Sequence, residues 1–316
     1  MRLPIALFAS LIAGPALAQS FPVTITHAKG EITIPAEPER VLSLGLNDQD
    51  FLYALGIAPV GVHEWWGDKP FATWDWAEQA REAINAEPAV LNGYEVNLEW
   101  VAAQKPDLIV ATYYELDEAT YDLLSQIAPV VATPEGYADY GAPWQDQLSL
   151  IDQATSGSTN KAQAIEAELD ARLAAIREQY PQFTEHTASM ADLREGQFTL
   201  WSSQHAPTRF LKALGFNFPE ALDALADEAG WIYISQEMAD TLDMVDVVVW
   251  PNGKQDEIEA LSVFQTLRLY KEGRSVFPAS GEDDLAAALW FYTPLSIAYA
   301  AEHFAPKIAA ALDTAN

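Results

Sequence analysis

The chain has 316 residues, half of them hydrophobic, with a formal net charge of -29 and no cysteine. That length suggests about two domains at roughly 150 residues each, with enough apolar content for a real core. The charge argues against nucleic acid and anionic lipid as partners, both of which need clustered Lys and Arg, and it disfavours a strongly anionic ligand. Much of it also serves solubility alone.

At the start of the chain, Met1-Arg2 is a short basic segment, residues 3–12 are a short apolar run, and Ala16-Leu17-Ala18 is a small-x-small cleavage site. This is the pattern of a secretory signal peptide over residues 1–18, which leaves Gln19 at the mature N-terminus. No later stretch reaches the ~18 uninterrupted apolar residues of a membrane span. Without cysteine the mature chain forms neither a disulfide nor a thioether lipid anchor. The expectation is a freely diffusing protein of a Gram-negative periplasm, not lipid anchored and not inserted in the membrane.

Residues 23–27 and 31–34 predict a hairpin around Lys29-Gly30, and Pro38-Glu39-Arg40 leads into an apolar strand at 41–44. An alternation follows: a turn at 45–48, a helix at 49–55, strands at 60–62 and 108–111, a helix at 118–126 and a strand at 130–132. Strands separated by helical segments predict a mostly parallel sheet. Ala164, Ile165, Leu169, Leu173, Ile176 and Tyr180 then fall at helical spacing, with Gly157, Ser158 and Asn160 to start the helix and Pro181 to stop it. One long amphipathic helix of ~30 Å can therefore bridge two lobes. The second half alternates again: a strand at 198–201, a helix from Thr208, a strand at 275–277 and a final helix from about Leu285. The fold class is α/β, with two Rossmann-like lobes over residues 19–154 and 183–316 joined by one α-helix within 155–182.

One module occurs in both halves. Asn97-Leu98-Glu99 opens a helical segment that turns at Asp107 into Leu108-Ile109-Val110-Ala111, and Ser235-Gln236-Glu237 opens one that passes Asp246 into Val247-Val248-Val249-Trp250. In each copy a capping residue precedes a glutamate in the first helical turn. That glutamate has a plain reading, since an acid there is stabilised by the helix macrodipole.

The segments 40–50, 54–62, 99–111, 127–131 and 210–216, in this order, resemble the iron-siderophore binding proteins of periplasmic ATP-driven importers, substrate-binding proteins with a helical interlobe linker. The resemblance spans nearly the whole mature chain. It implies a ligand held between the lobes, only a small opening motion, and Glu99 and Glu237 as exposed tips that pair with arginines of an ABC permease dimer. The ligand would be a ferric siderophore whose iron needs no protein ligand, and the carrier would act as a monomer with no cofactor of its own.

In open α/β sheets the ligand crevice lies where strand C-termini meet helix N-termini. Aromatics crowd those positions. The first half offers Trp65, Trp66, Trp76, Tyr113 and Tyr114, and the second Trp201, Trp231, Tyr233, Trp250 and Trp290. Each taken singly reads equally as lobe packing. Trp65 and Trp66 point in different directions on any regular backbone, so at least one should be exposed unless a ligand covers it. For charge, the loops offer Arg209, which could instead be a surface cation near Glu220, and carry Asp48, Asp50, Glu64 and Glu115. A neutral or cationic ferric hydroxamate fits that balance better than a strongly anionic ferric catecholate. Haem or cobalamin on the same fold, and a secreted glycoside hydrolase using cleft carboxylates, are the alternatives.

Neither a metal site nor a catalytic motif stands out. None of the five histidines pairs at i, i+4 with another, although His63 and His205 follow strands and could touch a ligand. There is no G-x-S-x-G, P-loop, G-x-G-x-x-G or H-E-x-x-H motif.

Overall fold

The computed structural model describes residues 21–279 and 281–313; the signal peptide expected at 1–18 lies outside them. An N-terminal hairpin pairs β1 (Val23–His27) with β2 (Gly30–Ile34) and lays Val23 and Ile25 on the core. The first lobe is built on β3 (Val41–Ser43), β4 (Gly61–Glu64), β5 (Ala89–Asn92), β6 (Leu108–Ala111) and β7 (Val130–Ala132), in the order β5-β4-β3-β6-β7 with every pairing parallel. All residues of β3, β4, β6 and β7 are buried. Strands covered on both faces are mostly apolar, which is why β3, β6 and β7 stand out in the sequence, whereas β4 carries the buried His63 and Glu64.

The second lobe uses β8 (Ala188–Arg194), β9 (Gln197–Trp201), β10 (Trp231–Ile234), β11 (Val247–Val249) and β12 (Ser275–Val276), in the order β10-β9-β8-β11-β12. Here the expected parallel sheet is only half right, because β8 with β9 and β9 with β10 are antiparallel. For β8 and β9 the cause is the two-residue loop Glu195-Gly196, whose φ values of 49° and 78° are both positive. Such a turn folds a strand straight back on its neighbour and leaves no room for a crossover helix.

The duplicated module is physical as well as textual. Asp107 accepts the amides of Glu39 and Arg40 at 2.9 and 2.8 Å, immediately before β3. Asp246 accepts the amide and hydroxyl of Thr187 at 2.9 and 3.0 Å, immediately before β8. Each aspartate thus fastens the start of its lobe's first core strand to the strand it precedes. The helical parts differ: Asn97 caps the α-helix Leu98–Ala103 by accepting from Trp100 N at 2.9 Å, whereas Ser235 makes no side-chain cap to the 3-10 segment Gln236–Met244.

The linker helix Asn160–Gln179 buries Ala162, Leu169, Leu173 and Ile176, while Ala164 of the expected stripe is exposed. It follows the helix Trp144–Ser156, which ends at Gly157 with φ of 73°. Asp152 of that helix reaches forward to accept Ala162 N at 2.9 Å. Twenty residues at 1.5 Å rise give ~30 Å. The C-terminal helix Pro294–Asp313 packs against this linker, against the first-lobe helices Asp48–Leu55 and Asp75–Ala83, and against β11 and β12. The lobes consequently share one continuous hydrophobic core.

Candidate functional site

Strand ends of both lobes face one another across a cavity of about 570 Å³. From the first lobe come Tyr113, directly after β6, and Tyr140 on the loop before helix Trp144–Ser156. From the second come Trp201 at the end of β9, Trp231 at the start of β10, and His205 and Arg209 at the start of helix Ala206–Ala213. The helix Asp283–Phe291 closes the back with Trp290, and Tyr292 follows it in the left-handed region at φ of 48°.

The aromatic rings line the wall in two contacting groups. Trp201 meets Trp290 edge-on at 5.2 Å and Trp231 at 5.7 Å, and Tyr113 meets Tyr140 at 4.9 Å. The Arg194 guanidinium lies over Trp231 at 5.2 Å and is held by Asp192 at 2.9 Å. His205 stands 5.4 Å from Trp231 and contacts Ala229 O through Nε2 at 2.8 Å. Arg209 donates through Nε to Gln204 O at 2.7 Å and makes no ion pair among the described residues. Burial raises the Tyr113 phenol and pushes that of Tyr292 up to about 12, against a smaller opposing effect of Arg209. Both phenols therefore stay neutral hydrogen-bonding groups at any physiological pH.

Two α/β lobes, a helical linker and a cleft between strand ends are joined by a direct comparison. The periplasmic binding protein family matches residues 41–274. The chain belongs to this family. A probable siderophore-binding lipoprotein of Bacillus subtilis is 30% identical over 198 residues, which are 62% of this chain but only 58% of that protein. The ferric enterobactin-binding periplasmic protein of Escherichia coli is 31% identical over 230 residues, 68% of this chain and 69% of that one. A periplasmic solute binding protein of Mycobacterium smegmatis matches with a TM-score of 0.80 and 34% identity, covering 92% of this chain and 98% of that chain. This periplasmic binding protein is thus a substrate-binding protein and not an enzyme, and the glycoside hydrolase reading is overturned.

Of the aromatics expected in the site, the structure gathers Tyr113, Trp201, Trp231 and Trp290, with Arg209, around one cavity. Trp66, 38% exposed, lines the neighbouring cavity on the far side of Trp290. Trp65 is half-buried behind it, 6.1 Å from Phe291. Four expectations need correction. Trp76 is buried, stacks on Trp74 at 5.3 Å and donates to Asp50 at 2.7 Å, because it fills the joint between the first lobe and the C-terminal helix. Tyr114 is buried in the first lobe and donates to Tyr94 O at 2.7 Å. Trp250 is 1% exposed and stacks on Phe277 inside the second lobe's own core. Tyr233 is 58% exposed on the edge strand β10 and contributes nothing to the cavity wall.

The acids were misplaced as well. Asp48 and Asp50 are wholly buried, and burial pushes each carboxyl up to about 6. Asp48 accepts the Thr112 amide at 2.8 Å and hydroxyl at 2.6 Å, so it braces the corner after β6 from inside. Glu64 is buried and accepts Lys69 N at 2.7 Å; Glu115 is exposed. None of the four lines the 570 Å³ cavity, whose carboxylate is Asp139. His63 is locked between Leu44 O and Gly93 O at 3.0 and 2.6 Å, away from any ligand. Tyr140, Tyr292, Asn47 and Gln147 line the cavity and were not anticipated. Tyr140 and Tyr292 sit at left-handed backbone positions in irregular segments, which no periodicity reveals.

Glu99 and Glu237 are both exposed, and neither makes an ion pair or side-chain hydrogen bond among the described residues. Among those residues no group of three or more His, Asp or Glu could hold a metal ion, and no helix is long and apolar enough to cross a membrane.

Proposed function

We propose that this periplasmic binding protein is the receptor of an ABC importer for a ferric siderophore of the hydroxamate type, gripped between the lobes and handed to a permease dimer. The observation that carries the reading is a cleft walled by Tyr113, Trp201, Trp231 and Trp290, in which Arg209 is the one arginine. An aromatic face contributing ~100 Å² of contact gives ~2.5 kcal/mol gross, so three or four faces support micromolar or better binding after ordering costs. A strongly anionic ferric complex calls for several cations, and a lining that offers Arg209 and His205 has too few. The relatives are named for more than one cargo, so the ligand class rests on the cleft itself.

Iron stays within the siderophore, and the protein needs no cofactor. Glu99 and Glu237, exposed and unpaired at equivalent places in the two lobes, are the permease contacts. The protein acts as a periplasmic monomer released by cleavage after Ala18, since a chain with no cysteine has no site for the lipid carried by its Bacillus relative.

Tryptophan fluorescence tests the reading directly. The purified mature protein is titrated in parallel with a ferric hydroxamate, a ferric catecholate, haem and cobalamin. Saturable quenching by the hydroxamate alone at micromolar or lower concentration is expected. Quenching by the catecholate removes the charge argument, quenching by haem or cobalamin reassigns the cargo, and silence from all four rejects the hydroxamate reading.

A further inference from the structure

Beside the aromatic cavity lies a second one, of about 650 Å³, and Trp290 lines both. Its walls are Trp66 of the first lobe, Lys254 after β11 with Asp256 and Glu257 in the first turn of the short helix Gln255–Glu259 that it precedes, and the helix Asp283–Phe291, which presents Asp283, Ala286 and Trp290 at helical spacing.

The two cavities differ sharply in charge. In the second, Glu282 is neutralised by Lys307, with contacts at 2.9 and 3.0 Å. Asp256, Glu257 and Asp283 are exposed and make no ion pair among the described residues. The cation facing them is Lys254, whose Nζ donates to Leu193 O at 2.7 Å. Three unpaired carboxylates therefore outweigh one lysine at this end of the cleft, while at the other end Arg209 is balanced by Asp139. Two indole faces, Trp66 and Trp290, line the acidic compartment, and indole is the best aromatic surface for a cation.

Building on the siderophore reading, we infer that the compartment between Trp66, Trp290 and the Asp256, Glu257 and Asp283 carboxylates is a subsite for an ammonium arm. The preferred cargo is then a ferric hydroxamate that carries a protonated primary amine on a flexible chain. The iron-bearing body rests on Trp201, Trp231 and Trp290, and the arm passes Trp290 into the acidic compartment. A bare metal ion is not the occupant, because these carboxylates do not converge into a metal-holding group. An anionic arm would be repelled.

The test uses a linear ferric trihydroxamate ending in a primary amine and the same complex with that amine N-acetylated, both titrated against the mature protein by tryptophan fluorescence. Summing weak, solvent-exposed ion pairs predicts that the amine form binds about fivefold tighter at low salt. The advantage should shrink in about 0.5 M salt. It should vanish in the triple variant Asp256→Asn, Glu257→Gln, Asp283→Asn, whose affinity for the acetylated form stays at the wild-type value. Equal affinities for the two forms, or a tighter acetylated form, overturn the subsite and leave the hydroxamate reading standing. Failure of both forms to bind removes the hydroxamate reading and the subsite with it.

Discussion

The buried carboxylate of Asp50 makes the stability of this protein depend on pH in a sense opposite to ordinary surface acids. It sits between the helix Asp48–Leu55 and the C-terminal helix, where Trp76 Nε1 and Thr293 Oγ1 both donate to Oδ2 at 2.7 Å. Its Oδ1 has no partner, and no cation pairs with it among the described residues. Burial lifts its carboxyl from the ordinary 3.8 to about 6. A raised value means that the folded state holds a proton through the range where the unfolded chain has released it. The stabilisation is full below about pH 4 and is lost as pH rises through about 6. The whole effect is about 3 kcal/mol, of which about 2 kcal/mol falls between pH 4.5 and 7.5. Asp50→Asn keeps an acceptor for both donors and cannot titrate. Urea unfolding at the two pH values, followed by tryptophan fluorescence, should show wild type losing about 2 kcal/mol more than the variant on going from about pH 4.5 to 7.5. Asp48 titrates the same way in both proteins and cancels in the comparison. If wild type and variant change in parallel, Asp50 is ionised in the folded state and the reasoning fails.

Replacing Glu99 and Glu237 together with alanine should abolish iron uptake in cells while leaving ligand affinity in fluorescence titrations unchanged; a weaker complex with transport intact would sink the docking assignment. Trp231→Ala should weaken ligand binding by on the order of 1 to 3 kcal/mol without lowering the unfolding midpoint, and an unchanged titration would remove Trp231 from the site. Trp250→Ala should do the reverse, costing about 3 to 5 kcal/mol of stability in a urea melt because it empties the second lobe's core. A normal melt would contradict that placement.

Strands of the first lobe were legible because β3, β6 and β7 are short, wholly buried apolar runs between turn residues. The edge strand β5 has one buried residue in four and gave no such signal. The strand β8 is nearly all buried, yet it reads Ala-Ser-Met-Ala-Asp-Leu-Arg and hides its pattern behind small and polar residues that hydrogen bonds satisfy. The antiparallel turn was present as Glu195-Gly196, but its effect depends on pairing that only three dimensions supply. In the site, residue type carried the aromatics into view without separating wall from core: Trp231 and Trp250 both flank strands, and only the neighbouring Phe198, Phe264 and Phe277 decide that Trp250 belongs inside. Charge misled for a related reason. Asp48 and Asp50 stand in a turn and first helical turn that favour exposed acids, whereas here Thr112, Trp76 and Thr293 draw them inward.

The two lobes are joined by more than the linker helix. The C-terminal helix touches helices of the first lobe and strands of the second. Asn47 donates to Phe291 O at 2.8 Å, Thr293 to Asp50 at 2.7 Å, and Lys69 pairs with Asp284 at 2.7 Å. Wide opening would break these bonds and expose part of a shared apolar core, a cost of several kcal/mol that no single ligand contact offsets. Ligand binding should therefore leave the radius of gyration measured by X-ray scattering unchanged while tryptophan quenching saturates; a clear compaction would show a hinge that these contacts do not permit. A cleft that barely moves must be shaped for its cargo beforehand, so affinity is set by the aromatic wall and the charges at its two ends. Release then needs work from outside. On the docking reading, a permease gripping Glu99 and Glu237, one on each lobe, is placed to supply it by pulling the lobes apart.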